Sequence, residues 1–230
     1  MADHEASRRG QPDRDDVTEG GAGPDADALE AGRKLFARPA RFVWAAQTLD
    51  QLPAPALPEL AFAGRSNAGK SSILNALTGQ GALARVSHTP GRTRQLNFFE
   101  LDGRLMLVDL PGYGYARASR DLKHAWQGTM FDYLRGRPTL RRIVLLMDCR
   151  VGPKESDHEA MELFDRAAVP FMIVPTKADD ATADALAARI EETRALVRKH
   201  PAGHPLVIAT SSRTGQGIPE LRAELARLAA

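Results

Sequence analysis

The sequence predicts an α/β fold in which a mostly parallel sheet of six to seven strands has helices on both faces and one antiparallel strand at an edge. Short apolar runs alternate with longer segments of helical periodicity, a pattern typical of parallel strands connected by helices. The chain has 230 residues, of which 43% are hydrophobic and 26% charged, and this suits one globular domain with a tail. Asp102 and Gly103 separate two of the runs and predict a hairpin, which accounts for the antiparallel strand.

The elements can be assigned in order along the chain. A short lead-in helix is predicted at 28–37 and a first strand at 41–46, followed by a connector at 51–58 that contains three prolines. Further strands are predicted at 60–63, 96–100, 105–110, 143–148, 171–175 and 206–210. The helices between them are predicted at 70–77, 118–134, 156–167, 182–199 and 219–228. We therefore expect a lead-in region at 31–58 and a main domain at 59–230, whose sheet includes the first strand.

Residues 1–30 form a predicted disordered tail, because they hold few large apolar side chains and many Asp, Gly and Arg residues. Nine acidic side chains and three arginines give this tail a net charge of −6, so the remainder of the chain carries +8. A basic domain is compatible with a polyanionic partner such as RNA. It is equally compatible with a solvated surface that is rich in arginine.

Composition also limits where the protein works. No apolar run approaches the ~18 to 20 residues that span a bilayer, and the N-terminus lacks the basic and apolar stretches of a secretory signal. Cys149 is the single cysteine, so the chain cannot form an internal disulfide, and a reducing cytoplasmic setting is the simplest. We expect Cys149 to be a small buried residue. Neither a membrane partner nor a dimer is indicated, and a monomer is expected.

A phosphate-binding loop is predicted where the strand at 60–63 meets the helix at 70–77. The segment matches the pattern G-x-x-x-x-G-K-[ST] and consists, with the following serine, of Gly64, Arg65, Ser66, Asn67, Ala68, Gly69, Lys70, Ser71 and Ser72. Its glycines let the main chain wrap phosphates, whose charge is favoured at a helix N-terminus. Lys70 is expected to neutralise β- and γ-phosphate oxygens, and Ser71 to ligate Mg²⁺. The alternative is a glycine-rich turn with an exposed lysine.

A second motif closes the strand at 105–110 and consists of Asp109, Leu110, Pro111 and Gly112. The Asp109 carboxylate is expected to hold a water bound to Mg²⁺. The Gly112 amide is expected to approach the γ-phosphate, since no Cβ intervenes. Asp, Pro and Gly are also ordinary residues where a strand leads into a turn, and a plain turn is the alternative.

The polar loop at 87–94 lies between these motifs and offers threonine hydroxyls to the metal ion. Thr93 is the candidate that joins Mg²⁺ only when the γ-phosphate is present, and Thr89 is its competitor. The neighbouring residues assigned to nucleotide binding are Gly91, Arg92, Arg94 and Gln95. A polar loop without a ligand is the alternative.

A base-recognition motif follows the strand at 171–175 and consists of Thr176, Lys177, Ala178 and Asp179. In GTPases, Asp at this place accepts hydrogen bonds from guanine N1–H and the 2-amino group, two donors that adenine lacks. The Lys177 stem would lie along the ring face. A weaker contribution, from amides that could meet the guanine O6, is expected of Thr210, Ser211 and Ser212. A charged turn before a helix is the alternative for the whole motif.

The order of these motifs resembles that of the translation-factor-like small GTPases. Over about residues 40–228 the motifs are similar to those of the EngB (YihA) family of bacterial ribosome-assembly GTPases. The specific stretches are D-L-P-G-Y-G-Y-A at 109–116 and T-K-A-D at 176–179, supported by T-P-G-R-T at 89–93 and the serines at 211–212. Most GTPases have Asn where this chain has Thr176, so the contact of this residue is left open.

The resemblance implies a P-loop GTPase fold, Mg²⁺-dependent binding of GTP and GDP, and hydrolysis of GTP in which Lys70, Thr93 and Gly112 take part. It also implies a switch in large ribosomal subunit assembly, with precursor rRNA and ribosomal proteins as partners, and a link to septation at cell division. One alternative is a GTPase that acts on a protein of the division machinery without contacting RNA. Another is a small-molecule kinase, against which the guanine-recognising Asp179 argues.

Tyr113 stands where many GTPases have a glutamine that orients the attacking water. We therefore predict slow intrinsic turnover, with a partner that supplies the catalytic group or orders the loops. Asn67 resembles the phosphate-loop asparagine of potassium-activated GTPases, so a K⁺ ion that bridges the phosphates near Asn67 is a hypothesis. The alternative is that Asn67 is a loop residue chosen for its tolerance of left-handed geometry.

Residues 113–142 predict a basic surface for docking RNA, whose affinity should fall steeply with salt. Two acidic residues stand there against the basic residues Arg117, Arg120, Lys123, Arg135, Arg137, Arg141 and Arg142. Tyr113 and Tyr115 could stack on a base or on a protein side chain, or pack on their own helix. Trp126 is expected to belong to the core.

Overall fold

The structure is a computed structural model that describes residues 23–84, 95–114 and 120–229, with the backbone alone for 120–127. Six strands form one sheet in the order β1-β3-β4-β2-β5-β6. The strands are β1 (Ala40–Ala46), β2 (Glu59–Gly64), β3 (Leu96–Leu101), β4 (Leu105–Asp109), β5 (Leu140–Asp148) and β6 (Phe171–Thr176). The helices are α1 (Ala26–Phe36), α2 (Lys70–Thr78), α3 (Arg120–Gly136), α4 (Glu155–Ala167), α5 (Ala183–Val197) and α6 (Ile218–Ala226). Within the described ranges, no helix has the length and apolar character that a membrane crossing needs.

The four neighbouring strands β4, β2, β5 and β6 run parallel, whereas β3 is antiparallel to both β4 and β1. The turn between β3 and β4 has Asp102 at φ 47° and Gly103 at φ 65°, the left-handed pair that a tight hairpin favours. The predicted antiparallel strand is thus confirmed as β3. It lies one position inside the edge, because β1 pairs with its outer side.

Helices cover both faces of the sheet, as predicted. One apolar cluster joins α1, α2 and α6 to one face, and a second joins α3, α4 and α5 to the other. Strand β2 contributes alternately to both, with Leu60 and Phe62 in one cluster and Ala61 and Ala63 in the other. A strand buried on both faces explains the continuous apolar run seen in the sequence. Cys149, just beyond β5, is buried as expected.

The predicted strand at 206–210 is wrong. The segment runs beside β6 but is joined to it only by scattered hydrogen bonds: the His204 N–H donates to Phe171 O at 2.7 Å, and the Thr210 N–H donates to Pro175 O at 2.7 Å. Pro175 presents its main chain to this segment and has no N–H to donate, so a regular ladder cannot form. The sheet therefore ends at β6.

Helix α1 begins at Ala26, so the predicted disordered tail extends too far along the chain, and residues 26–30 are helical. Asp25 caps the helix, because its carboxylate accepts a hydrogen bond from the Ala28 N–H at 2.7 Å. Gly32 lets α1 approach α6 closely, since a Cβ on Gly32 would lie 2.5 Å from the Ala223 nitrogen. Residues 25–30 hold a single large apolar side chain, Leu29, which explains the error. The remainder of the predicted tail, residues 1–22, lies outside the described ranges.

Candidate nucleotide-binding site

The predicted phosphate loop connects the end of β2 to the start of α2. Asn67 has φ 65° and Gly69 has φ 93°, both in the left-handed region. Gly69 is the N-cap of α2, and it has no side chain with which to satisfy the first amides of the helix. These amides and the positive end of the helix dipole suit an anion such as a phosphate group.

Asp109 ends β4 directly beside β2, where its register partner is Phe62. Burial raises the pKa of the Asp109 carboxyl to about 6, against the opposing charge of Lys70. Its Oδ1 atom has no hydrogen-bond partner within the described part of the chain. A buried carboxylate with an unused oxygen is suited to accept a hydrogen bond from a water on a metal ion.

Gly112 lies against the phosphate loop, since a Cβ at this position would be 3.3 Å from both Lys70 Nζ and Ser66 N. A side chain here would crowd the Lys70 ammonium, which is suited to bind phosphate, and the main chain of the phosphate loop. Among the residues that the structure describes, no group of three or more His, Cys, Asp or Glu side chains could hold a metal ion. A divalent ion would therefore need hydroxyl, water and phosphate oxygens, which Mg²⁺ accepts, and Ser71 and Asp109 fit that donor set.

The base-recognition motif is hydrogen-bonded to the phosphate loop at two neighbouring carbonyls. Thr176 donates from Oγ1 to Ala68 O at 2.7 Å, and Lys177 donates from Nζ to Asn67 O at 2.8 Å. Lys177 has φ 60°, a left-handed conformation that is uncommon for a residue with a side chain. The contact of Thr176, which the sequence left open, is with the main chain of the phosphate loop.

Asp179 is held from two sides. The Ser211 side chain and then Arg213 lower the pKa of its carboxyl, and Arg213 Nη2 lies 2.6 Å from Asp179 Oδ2. Thr210 and Ser211 are both fully buried, and the Ala178 N–H donates to Thr210 O at 3.0 Å. The two predicted segments of the base site thus contact each other, and the Asp179 carboxylate is kept in its ionised form.

A charged network that the sequence analysis missed surrounds these residues. Asp148, at the end of β5, accepts hydrogen bonds from Lys177 Nζ at 2.8 Å and from Arg150 Nη2 at 2.7 Å. Burial alone would raise the pKa of Asp148, but the hydrogen bonds from Arg150 and Lys177 outweigh it and lower the pKa to about 2. Arg150 lies 3.2 Å from one oxygen of Asp180, whose other oxygen lies 3.7 Å from Arg213. The signal that could have found Asp148 is its position at the carboxyl end of the strand next to β6.

The described members of the predicted site come together at the carboxyl ends of the parallel strands, since most of them follow β2, β4 and β6. Three of them contribute differently from the rest: Leu110 is buried and its N–H donates to Phe62 O at 3.0 Å, the Gln95 side chain donates to Asn97 Oδ1 at 3.2 Å, and Ser212 is exposed. The assigned residues that lie outside the described ranges are Thr89, Gly91, Arg92, Thr93 and Arg94.

Tyr113 is buried, and its hydroxyl donates a hydrogen bond to Asp157 Oδ1 at 2.9 Å. Stacking of this residue on a partner is excluded by burial, and its hydroxyl contacts α4 rather than the helix that follows it, on which packing was the other expectation. Burial, together with the charge of Asp157, raises the pKa of Tyr113 well above its ordinary value. Tyr115 lies outside the described ranges.

Two residues counted toward the basic docking surface are committed to ion pairs. Arg137 Nη2 lies 2.6 Å from Glu59 Oε1, and Arg142 pairs with Glu224. The guanidinium groups are largely covered, so the prediction that these two arginines serve RNA is wrong. Arg135 and Arg141 are exposed. Of the residues predicted for this surface or its core, Arg117, Arg120, Lys123 and Trp126 have side chains that the structure does not describe.

The chain is similar to known GTP-binding proteins over most of its length. A family model described as a 50S ribosome-binding GTPase matches residues 59–177. A protein of Granulibacter bethesdensis named a probable GTP-binding protein EngB is 60% identical over 207 residues, which cover 90% of this chain and 93% of that protein. The motifs described above therefore occur within a shared sequence rather than as isolated matches.

Solved structures share the fold. A crystal structure of a probable GTP-binding protein EngB has a TM-score of 0.59 at 21% identity, and the match covers 74% of this chain and 98% of that one. A structure of Era in complex with MgGDPNP and nucleotides 1506–1542 of 16S ribosomal RNA has a TM-score of 0.57 at 22% identity, and the match covers 74% of this chain and 56% of that one. At these identities the likeness is one of fold.

Proposed function

The chain belongs to the EngB family of P-loop GTPases, and on that premise we propose that it is a nucleotide-controlled switch in the assembly of the large ribosomal subunit. Hydrolysis of GTP to GDP separates its two states. The nucleotide-binding part of the proposal is carried by the pair of hydrogen bonds, 2.7 and 2.8 Å long, from Thr176 and Lys177 to the phosphate loop. They support a single continuous site for a base and its phosphates.

In the proposed site, the main-chain amides at the start of α2 and the Lys70 ammonium bind the β- and γ-phosphates. Ser71 and, through a water, Asp109 would hold Mg²⁺, which would supply positive charge that stabilises the phosphates. The unpartnered Oδ1 of Asp109, counted over the described residues, supports that role. Thr93 is proposed as a further ligand that depends on the γ-phosphate.

Base selection is assigned to Asp179, whose carboxylate accepts hydrogen bonds from guanine N1–H and the 2-amino group. Its lowered pKa supports this role, because only the ionised carboxylate can accept from both donors. Adenine would leave the carboxylate without these partners, which penalises ATP.

Hydrolysis breaks the bond between the γ-phosphorus and the β–γ bridging oxygen while a water attacks in line. Lys70 stabilises charge that develops on the phosphate oxygens, and the Gly112 amide donates to the γ-phosphoryl group. The Tyr113 hydroxyl is engaged with Asp157 at 2.9 Å, so this side chain is not suited to orient the water. We therefore propose slow intrinsic turnover that a partner accelerates.

A K⁺ ion near Asn67 is a further part of the proposal and rests on the resemblance alone. Asn67 has φ 65°, so its left-handed geometry already accounts for the choice of asparagine. Faster turnover in KCl than in NaCl is the expected result. Equal rates in the two salts would remove this part of the proposal.

The proposed partner is the large-subunit precursor, contacted through rRNA and ribosomal proteins. Support comes from the description of the matching family model as a 50S ribosome-binding GTPase. The net charge of +8 outside residues 1–30 is favourable for such a partner. We place this activity in the cytoplasm, in a monomer, and with the link to septation that the family resemblance implies.

Co-sedimentation of the full chain with purified 50S and 30S subunits tests the ribosomal role. We expect association with 50S subunits that is stronger with a non-hydrolysable GTP analogue than with GDP, and that falls steeply between about 50 and 200 mM salt. An Asp179→Asn variant is the control, because it should lose the response to guanine nucleotide. Absence of association in every nucleotide state would overturn the ribosomal role and favour a protein partner of the division machinery.

A further inference from the structure

We propose that Asp157 is a positioning residue that fastens Tyr113 to the phosphate loop and so holds the neighbouring Gly112 amide in place for the terminal phosphate. The inference rests on the proposed function, since it concerns how the same site distinguishes GTP from GDP. Asp157 lies in α4, which none of the predicted motifs includes. The inference is supported by the side-chain contacts of the buried Asp157 carboxylate and by main-chain contacts beside it.

The Asp157 side chain is fully buried and is shared among three donors. Its Oδ1 accepts the Tyr113 hydroxyl at 2.9 Å, and its Oδ2 lies 3.1 Å from Arg65 Nε and accepts the Lys154 N–H at 2.9 Å. One carboxylate therefore joins the second residue of the phosphate loop, the residue that follows Gly112, and the start of α4. A buried carboxylate is costly unless its oxygens are partnered, so the three groups are held together as a unit.

Main-chain hydrogen bonds also connect Tyr113 to the phosphate loop. The Ser66 N–H donates to Tyr113 O at 3.2 Å, and the Tyr113 N–H donates to Gly64 O at 3.4 Å. Residue 113 is thus paired with the phosphate loop as a short parallel bridge opposite Arg65. The Gly112 main chain, one residue earlier, is brought within the close approach to Lys70 described above.

Gly114, the residue after Tyr113, is also closely packed. A Cβ on Gly114 would lie 3.0 Å from Ser156 Oγ and 3.2 Å from Arg65 Cγ, and Gly114 has φ 75°. The segment is confined up to this glycine by side chains of the phosphate loop and α4. Gly112, Tyr113 and Gly114 are therefore held together against the phosphate loop.

A preformed Gly112 amide affects the two nucleotides differently. Only GTP has a γ-phosphate to accept from this amide, so the ordering that Asp157 provides benefits GTP and leaves GDP largely unaffected. A network with a purely structural role would instead lower stability and would weaken both nucleotides alike. The ratio of the two affinities separates these cases.

The test compares Tyr113→Phe and Asp157→Asn with the wild-type chain, by calorimetry with GDP and with a non-hydrolysable GTP analogue in the presence of Mg²⁺. We expect affinity for the analogue to fall about five- to tenfold in each variant, as for one lost hydrogen bond, while affinity for GDP changes by less than about twofold. Thermal unfolding shows that each variant is folded. Tyr113→Phe removes a single oxygen atom, so it keeps the inference testable if Asp157→Asn fails to fold.

Tyr133→Phe is the matched control, since Tyr133 is also buried and its hydroxyl donates to a buried carboxylate, that of Glu59, at 3.2 Å. Glu59 begins β2, whereas the phosphate loop follows the other end of that strand. This control should lose stability and keep the wild-type ratio of affinities. An unchanged ratio in Tyr113→Phe would overturn the inference alone, whereas a wild-type chain that bound ATP as tightly as GTP would overturn the proposed function as well.

Discussion

The Lys177 ammonium lies 2.8 Å from the main-chain oxygen of Asn67 and 2.8 Å from the carboxylate of Asp148. One cation thus joins the phosphate loop, the base-recognition motif and the end of β5. Because hydrogen bonds lower the pKa of Asp148 to about 2 despite its burial, its carboxylate is ionised at all physiological pH values. Weakening the pair of Lys177 and Asp148 should therefore lower the affinity for any guanine nucleotide, rather than disturb recognition of the base or of the phosphates alone.

Asp148→Asn keeps the shape of the side chain and removes the charge that holds Lys177. We expect affinities for GDP and for a GTP analogue to fall together by about tenfold, because a charge-assisted hydrogen bond becomes a neutral one. Calorimetry measures both affinities. Asp165→Asn is the control, since Asp165 pairs with His200 at 2.6 Å, and it should leave both affinities unchanged. A loss confined to the GTP analogue would contradict a role shared by both nucleotides.

Asp179→Asn should exchange the base preference of the site. The amide presents one donor and one acceptor, so it matches xanthine and leaves a guanine N–H opposed by an NH₂ group. We expect affinity for GTP to fall by about two orders of magnitude and affinity for xanthosine triphosphate to rise. The neighbouring Asp180→Asn is the matched control. If both variants lost GTP equally, recognition of the base by Asp179 would be ruled out.

Asp109 should make the stability of the nucleotide-free chain depend on pH. Burial raises its pKa from 3.8 to about 6 in the folded protein, so the folded state holds this proton more tightly than the unfolded state does. Its contribution favours folding below about pH 4 and is lost as the pH rises through about 6. Relative to Asp109→Asn, the wild-type chain should lose about 3 kcal/mol of unfolding free energy over that interval. Urea unfolding of both proteins without metal, at several pH values, measures the difference, and parallel curves would contradict the prediction.

Gly32 and Gly128 should respond oppositely to the same substitution. A Cβ on Gly32 would lie 2.5 Å from the Ala223 nitrogen, whereas a Cβ on Gly128 would meet nothing within 4 Å. Gly32→Ala should therefore cost about 2 kcal/mol or more, and Gly128→Ala should stabilise α3 by about 0.5 to 1 kcal/mol. Chemical unfolding gives both values. A stabilising Gly32→Ala would show that α1 and α6 do not pack as described.

The strands and the phosphate loop could be predicted because their signals are local. A run buried on both faces and the spacing of Gly64, Gly69 and Lys70 are visible within ten residues of sequence. The segment at 206–210 has the same apolar signal as a strand, but its pairing fails at Pro175, a residue in another element. Local patterns do not show which main-chain groups a neighbouring segment can offer.

Charges were the least predictable part of the site. Arg137 and Arg142 were counted as surface cations, yet their partners Glu59 and Glu224 stand 78 and 82 positions away in the chain. Asp148 was overlooked for the same reason, since its partner Lys177 follows a different strand. Which charges are exposed, and which complete the site, depends on the order of strands in the sheet rather than on spacing along the sequence.

The close contact between α1 and α6 makes the smallest stable unit larger than the signature that identifies the family. The matching family model covers 59–177, whereas α1 precedes it and α6 follows it. Trimming the chain to those limits would remove Phe36 and Leu221, which are almost fully buried, and would expose the apolar face of the sheet and of α2 against which they pack. A shorter version for crystallisation or labelling should keep both terminal helices, because each buries apolar side chains of the other.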